Sequence, residues 1–404
     1  MSRKVAVATF ARSDYGSCLP ILRALRDDPD VELVVFAAGM HLVPEFGHTL
    51  RAIEADGFEI TETIEMFLAA DSRRATAKAI GLGTQGFADA LARHRPQILL
   101  MIGDRCELLA AASAALVLQI PVAHVSGGEI TEGAIDDQVR HALTKLSHLH
   151  FVSHEEHAAR VLQMGEEPWR VRVTGDPALD LLHQEELLDR QALEKHLGIP
   201  LVAPVAAVTF HPTTLGITSA EDEVGCLLSA LSDMKGTLIL TAPNADPEYR
   251  SIYAAMERFV DQRSHAGLFA NLGQRVYYSL LAEADLMVGN SSSGIWEAPS
   301  FKLPVVNLGD RQRGRLRAAN VIDVEVDAEK LGEAIHRTLD PAFREQLAGL
   351  ENPYGDGRAA AQIVAALKDA DLGLALLRKK FIDQPCLAAP NPSDGDDAEE
   401  TLRP

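Results

Sequence analysis

At 404 residues, with 47% hydrophobic and 24% charged residues, the chain is long enough for two α/β domains and too mixed to be fibrous or disordered. A net charge of −20 argues against a nucleic-acid or anionic-membrane partner, so an anionic ligand needs a local basic pocket. The cysteines Cys18, Cys106, Cys226 and Cys386 lack any ligand spacing and no apolar run reaches bilayer length, which points to a cytoplasmic protein with reduced thiols and no structural metal.

From Lys4, short β-branched runs alternate with helical stretches. Strands are predicted at Val5–Phe10, Val31–Ala37, Ile98–Ile102, Val122–Val125, His150–Val152 and Val171–Thr174. Helices are predicted from the end of the first strand to Asp27, near Phe46–Asp56, and at Cys106–Leu118, Asp136–Lys145 and Glu155–Met164. This alternation implies a parallel, doubly wound sheet. A charged helix and prolines around Leu181–Val202 mark a link. The rhythm then restarts, with strands at Val205–Phe210, Leu238–Ala242, Gly267–Ala270, Leu286–Val288 and Val305–Leu308. Its helices are Ala220–Met234, Pro247–Arg263, Val276–Ala284, Ile295–Phe301 and Ala328–Leu339. The expected fold class is therefore α/β: two doubly wound Rossmann-like domains, 1–180 and 181–365, facing one another across a cleft. A last helix, 358–381, crosses back toward the first domain, and 366–404 holds its end and a disordered acidic tail from 382.

The loops that end strands carry the chemistry. Gly81, Gly83 and Gly86 match GxGxxG but follow a polar helical run instead of a strand, so the match is read as a decoy. His141, His148, His150, His154 and His157 fall on separate elements and form no convergent metal set. Arg12, after the first strand, can hold a phosphate or pair with Asp14. Asp104 either faces the crevice or caps the helix that follows. Glu129 ends His124-Val125-Ser126-Gly127-Gly128-Glu129, and Asp136 and Arg140 share a helix face on which they can pair. Asp104, Glu129 and Asp136 thus come to one crevice, where crowding and burial suit carboxylates to proton transfer at carbon. In the second half His211 ends a strand and can donate to a sugar or phosphate oxygen or move a proton. Gly289-Asn290-Ser291-Ser292-Ser293-Gly294 joins a strand to a helix expected near Ile295 with Glu297 in its first turn. That is either a Ser/Asn cap or an anion site with Glu297 on a ribose. Arg311, Arg313 and Arg315 nearby supply positive charge and favour a diphosphate there.

These motifs, together with Ile135–His141, Arg311–Arg315 and Asn352-Pro353-Tyr354-Gly355-Asp356-Gly357, resemble the hydrolysing UDP-N-acetylglucosamine 2-epimerases of sialic-acid and legionaminic-acid biosynthesis, over roughly 4–367. The resemblance implies a glycosyltransferase-B-like fold, sugar chemistry on the first domain, nucleotide on the second, and neither cofactor nor metal. It implies release of the nucleoside diphosphate and a free N-acetylmannosamine-type 2-epimer through a glycal. By motif, Asp104, Glu129 and Asp136 are acid/base candidates assisted by Arg140 and His211. Arg12, Asn290, Ser291, Ser292, Ser293, Gly294 and Arg313 hold the diphosphate, and Glu297 the ribose. Ser126 stands where many members carry a glutamate acid/base; sialic- and legionaminic-type members keep the Gly-Gly-Glu carboxylate instead. This departure admits a diacetamido-trideoxy (bacillosamine-type) sugar as substrate. A homodimer or higher homo-oligomer follows from the same likeness. A non-hydrolysing epimerase and a glycosyltransferase of this fold are the competing activities.

Overall fold

The computed structural model describes residues 2–43, 49–68, 72–131, 135–184, 186–212, 219–243, 249–270 and 272–383. The first half is one seven-stranded sheet of β1 (Arg3–Thr9), β2 (Val31–Ala38), β3 (Glu62–Ile64), β4 (Ile98–Ile102), β5 (Val122–Val125), β6 (Leu149–Val152) and β7 (Val171–Val173). Their spatial order is β3-β2-β1-β4-β5-β6-β7. The second half holds β8 (Val205–Thr209), β9 (Thr237–Thr241), β10 (Ala266–Phe269), β11 (Leu286–Gly289), β12 (Val305–Leu308) and β13 (Val321–Val324). They form a six-stranded sheet in the order β10-β9-β8-β11-β12-β13. Every pairing is parallel, with Val5 opposite both Leu33 and Ile98, and Ala206 opposite Leu286. The central strands β4 and β8 are buried at every position, as expected where helices cover both faces of a parallel sheet.

In both sheets the winding direction reverses beside the first strand, between β1 and β4 and between β8 and β11. Loops leaving a sheet at such a switch point splay apart and open a crevice at the strand C-termini. The loops after β1, β4, β8 and β11 therefore carry Arg12, Asp104, His211 and Ser291 to the two facing crevices. One apolar core runs from Val5 and Ile21 through Leu193 and Leu201 to Val205 and Leu281, so the halves pack on each other through the link.

Several elements depart from the sequence reading. The edge strands β3 and β13 were not anticipated, because each is short and mixes charged with apolar residues. The polar run before Gly81 belongs to one helix, Arg73–His94, that also contains Gly81, Gly83 and Gly86. A Cβ on Gly83 would stand 2.6 Å from Met66 Cε, and one on Gly86 2.6 Å from Ile64 Cγ2. These glycines let the helix lie against β3 and the chain after it, so the motif serves packing. The helix expected over 358–381 stops at Asp369, with a separate turn at Leu374–Leu377 after Gly373. It does return to the first sheet: Lys368 pairs with Asp28 and Asp30, and Arg170 donates to the Ala375 and Leu376 carbonyls at 2.8 Å. Asp180 caps it from outside, accepting from Ala359 N at 2.9 Å and Ala360 N at 2.7 Å. The tail from 384, the start of the 46–56 and 247–263 helices, and Asn271 lie outside the described residues. No helix among the described residues is long and apolar enough to cross a membrane.

Candidate active site

The first half contributes a carboxylate cluster gathered on one buried arginine. Arg140, on the helix Ile135–Leu146, is 2% exposed. Its guanidinium donates to the Glu129 carbonyl at 2.8 Å, to Thr131 Oγ1 at 2.9 Å and to the Asp104 carboxylate. Asp104 is thus an arginine partner and not a helix cap; the following helix begins at Leu108 with no side-chain cap. The pairing of Arg140 with Asp136 does not form. Arg140 turns to Asp104, with Asp137 at 3.6 Å, because Asp104 comes down from β4 on the buried side of the helix. Asp136 makes no ion pair among the described residues, and burial together with Asp104 raises its pKa. Glu129 is pushed up to about 7, first by burial and then by Asp176, against the pull of Arg140 and Arg315. A group near 7 offers both protonation states at neutral pH, the condition for general acid or base work.

His124, fully buried on β5, supports this cluster. Its Nε2 lies 2.7 Å from the Gly103 carbonyl and anchors the loop that carries Asp104. Burial holds its imidazole down to about 4, so it is neutral and donates through Nε2. Asp14 is also structural: it accepts from Phe10 N and Ala11 N at 2.8 Å and from Thr9 Oγ1 at 2.7 Å. The pairing of Arg12 with Asp14 is therefore not made, and Arg12 stays exposed at the start of the helix Arg12–Asp27.

Across the cleft the second half builds a cavity of about 280 Å³ at the ends of β8 to β11. Thr209, Thr241, Gln274, Tyr277, Ser291 and Ser293 line it, and Arg12 reaches in from the first half. Gly289 makes this possible. Its φ is +137°, and a Cβ there would lie 1.9 Å from the Thr209 carbonyl oxygen. The serine loop consequently crosses directly over the end of β8. Tyr277 OH donates to Ser293 Oγ at 2.8 Å, and Thr209 and Thr241 share a 2.6 Å hydroxyl contact. Gly294 sits against Val305, leaving no room for a side chain.

Asn290 is buried and its amide is fully used: it accepts from His211 N at 2.7 Å and donates to the His211 carbonyl at 2.8 Å. Its own carbonyl accepts from Gln312 Nε2 at 2.8 Å and Arg311 Nη1 at 3.1 Å. Asn290 is thus a latch joining three loops. His211 is held down to about 4 by burial and by Arg311, so its imidazole is neutral. The helix over this segment starts at Ser293, not near Ile295, and lasts one turn before the tighter turn Ala298–Phe301 that contains Pro299. Glu297 accordingly sits at the end of that turn and not in its first residues. Burial and Asp176 push it up to about 7, and its Oε2 is buried with no partner among the described residues. Among the described residues no group of three or more His, Cys, Asp or Glu side chains is arranged to hold a metal ion.

The chain as a whole has close counterparts among known proteins. Residues 23–368 match the model of the family described as UDP-N-acetylglucosamine 2-epimerase. The chain belongs to the UDP-N-acetylglucosamine 2-epimerase family. It is 39% identical to the GDP/UDP-N,N′-diacetylbacillosamine 2-epimerase (hydrolyzing) of Campylobacter jejuni, covering 94% of this chain and 99% of that protein. It is 35% identical to the UDP-N,N′-diacetylbacillosamine 2-epimerase (hydrolyzing) of Legionella pneumophila, with the same coverage. Its fold matches the UDP-GlcNAc 2-epimerase of Neisseria meningitidis solved with UDP-GlcNAc, at a TM-score of 0.73 and 18% identity over 92% of this chain and all of that one. The two-sheet architecture is accordingly glycosyltransferase-B-like.

In this epimerase-family chain three residues of the candidate site escaped the sequence reading: Asp176, Thr209 and Thr241. Asp176 follows β7 directly, is buried, and burial raises it to about 6. After burial it is the foremost charge acting on both Glu129 and Glu297, one carboxyl from each half. Thr209 and Thr241 end strands just as Asp104 does, and that position was their only signal. Arg315, half-buried, lies 4.6 Å over the Trp296 ring and acts electrostatically on Glu129. Its Nη1 is buried with no partner among the described residues. Arg313, singled out from the sequence, is exposed on the turn that follows Asp310. Ser292 heads the short helix, half-buried, without donating or accepting a side-chain cap.

Proposed function

We infer that the chain is a hydrolysing nucleotide-sugar 2-epimerase acting on UDP-linked N,N′-diacetylbacillosamine. The reading rests on one observation: Asp104, Glu129 and Asp136 converge around Arg140, opposite a hydroxyl-lined anion cavity on the other half. In the reaction, a carboxylate takes the proton from C2, the C–H electron pair becomes the C1–C2 double bond, and the C1–O bond breaks with its pair on the departing diphosphate. Water then adds at C1 and a carboxylic acid returns a proton to C2 on the opposite face. The products are nucleoside diphosphate and the free 2-epimer.

Glu129 and Asp136 are the groups that exchange protons with C2, and Asp104, tied to Arg140, fixes their approach. Neutral His211 donates to a substrate oxygen. Arg12, Ser291, Ser292, Ser293 and the Gly294 backbone steady the diphosphate as charge develops on it, helped by Arg313 at the rim. Glu297, with an unpartnered oxygen, accepts the ribose hydroxyls. The names of two relatives that match over nine-tenths of this chain support the diacetamido sugar. Ser126 supports it too, since a serine cannot do proton transfer as the acid in other members does. A role in making sialic- or legionaminic-type sugars in the cytoplasm follows from this chemistry. Leu82, Leu116 and Val117, exposed on neighbouring helices of the first half, support a homodimer through that face.

The test is a panel of UDP- and GDP-linked acetamido sugars followed by proton NMR in D2O. Release of free 2-epimer carrying deuterium at C2, fastest from UDP-diacetylbacillosamine, is the expected result. An intact nucleotide-linked epimer would establish the non-hydrolysing reaction, and turnover only with an added acceptor a glycosyltransferase.

A further inference from the structure

Glu129 is reached from behind by a second pair of side chains. The turn before it lies so close to the helix Glu155–Gln163 that a Cβ on Gly128, at φ +78°, would stand 2.2 Å from the His157 carbonyl oxygen. Arg160 Nη1 pins this turn through the Gly128 carbonyl at 2.8 Å. The Glu129 carboxyl is thereby brought to Ser153, just past β6. Ser153 Oγ donates to Glu129 Oε1 at 3.4 Å and lies 2.9 Å from His157 Nδ1. Both Ser153 and His157 are buried. Among the described residues, Ser153 is the one side chain that donates to this carboxyl; Arg140 spends its hydrogen bond on the backbone carbonyl of Glu129.

The hydroxyl has a single proton. With that proton on Glu129, the 2.9 Å contact requires Nδ1–H of His157 to donate to Ser153. Burial, with Arg160, His154 and Arg140 nearby, holds His157 down to about 4, so the ring is neutral and can keep this tautomer. Ser153 also lines a second cavity, of about 610 Å³, walled by His154, Thr174, Asn352 and Asp356. None of the residues lining the serine-loop cavity lines this one.

We propose that Ser153 and His157 are positioning residues for Glu129, a chain running from His157 Nδ1–H through Ser153 Oγ–H to Glu129 Oε1 that aims the carboxyl into the cleft and supports its proton-accepting form. The chain rests on the assignment of Glu129 to proton transfer made above. Its effect is superimposed on the other groups facing Glu129: Arg140 and Asp104 from the first half, Asp176 after β7, and Arg315 and Tyr354 from the second. A hydroxyl donor to the ionised form lowers the pKa of a carboxyl, so its loss raises that pKa.

The experiment is the pH profile of kcat/KM for the wild type, Ser153→Ala, His157→Asn, His157→Leu and Glu129→Gln, with UDP affinity measured on each. In Ser153→Ala the acid limb moves up by about one pH unit and the rate below it falls about tenfold, while UDP affinity holds. His157→Asn keeps an N–H near the Nδ1 position and restores most of the wild-type profile; His157→Leu follows Ser153→Ala. An acid limb in Ser153→Ala that does not move, with Glu129→Gln inactive, overturns the positioning chain and leaves the role of Glu129 standing. Wild-type turnover in Glu129→Gln overturns that role, and the chain with it.

Discussion

The two faces of the cleft are built on different terms. The first half gathers carboxylates about one buried cation: Arg140 holds Asp104, Thr131 and the Glu129 backbone, and His124 holds the Asp104 loop, while Arg140 Nε and His124 Nδ1 stay buried without a partner among the described residues. On the second half the loop frame is locked by Asn290 and hydroxyls line the cavity, and Glu297 Oε2 and Arg315 Nη1 are likewise buried and unpartnered among the described residues. A buried polar atom without a partner costs about 1–3 kcal/mol, so these atoms gain most when a ligand supplies the missing hydrogen bond. In the proposed function the first face moves the protons and the second receives the nucleotide.

Substitutions that separate the two faces give the sharpest contrast. Asp104→Asn and Asp136→Asn should each lower kcat by about 10²–10⁴ while UDP affinity by calorimetry stays near wild type. Arg12→Ala should instead weaken UDP affinity about tenfold and lower kcat as well, since Arg12 holds the diphosphate both in the ground state and as charge develops on it. Arg315→Ala should cost more than Arg313→Ala in kcat/KM, because the former faces Glu129 and the latter is exposed; equal losses would remove the distinction drawn between them. Gly83→Ala should lower stability by about 1–3 kcal/mol in urea unfolding and leave UDP affinity unchanged, as expected of a packing glycine.

The smallest effect is in pH. Glu129, Glu297 and Asp176 have folded pKa values of about 7, 7 and 6, above their unfolded values. The folded state therefore binds more protons, and the stability these groups contribute, full below about 4, is lost as pH rises through 6 to 7. The buried histidines His41, His124, His157 and His211, held down to about 4, act in the opposite sense between 4 and 6.5. The carboxyl contribution is best read as a difference: between pH 6 and 8 the ligand-free wild type should lose a few more degrees of Tm than Glu129→Gln.

Much of this site is legible in the sequence because a parallel sheet makes position along the chain a proxy for position in space. A residue just past a buried strand lies at the crevice, which is how Arg12, Asp104, Glu129, His211 and the serine loop declare themselves. The same rule reached Thr209 and Asp176 less well. Thr209 reads as the last residue of a strand, and β7 before Asp176 is a three-residue edge strand with a mostly exposed pattern. Spacing also could not choose among Arg311, Arg313 and Arg315, since the turn around Gly314 decides which side chain faces inward. Nor could it reveal that Asn290 spends its amide on the backbone of His211, a contact between residues 79 apart. The helix Arg73–His94 shows the same rule in reverse: its GxGxxG match follows no strand, is a decoy for that reason, and serves close packing.

The division of labour between the faces is tested most directly by Glu129→Gln, assayed with UDP-diacetylbacillosamine and, separately, for UDP affinity by calorimetry. The expected result is a kcat lowered by about 10²–10⁴ with the UDP Kd within about twofold of wild type. A kcat near wild type, or a parallel loss of turnover and UDP affinity in a folded protein, would contradict it.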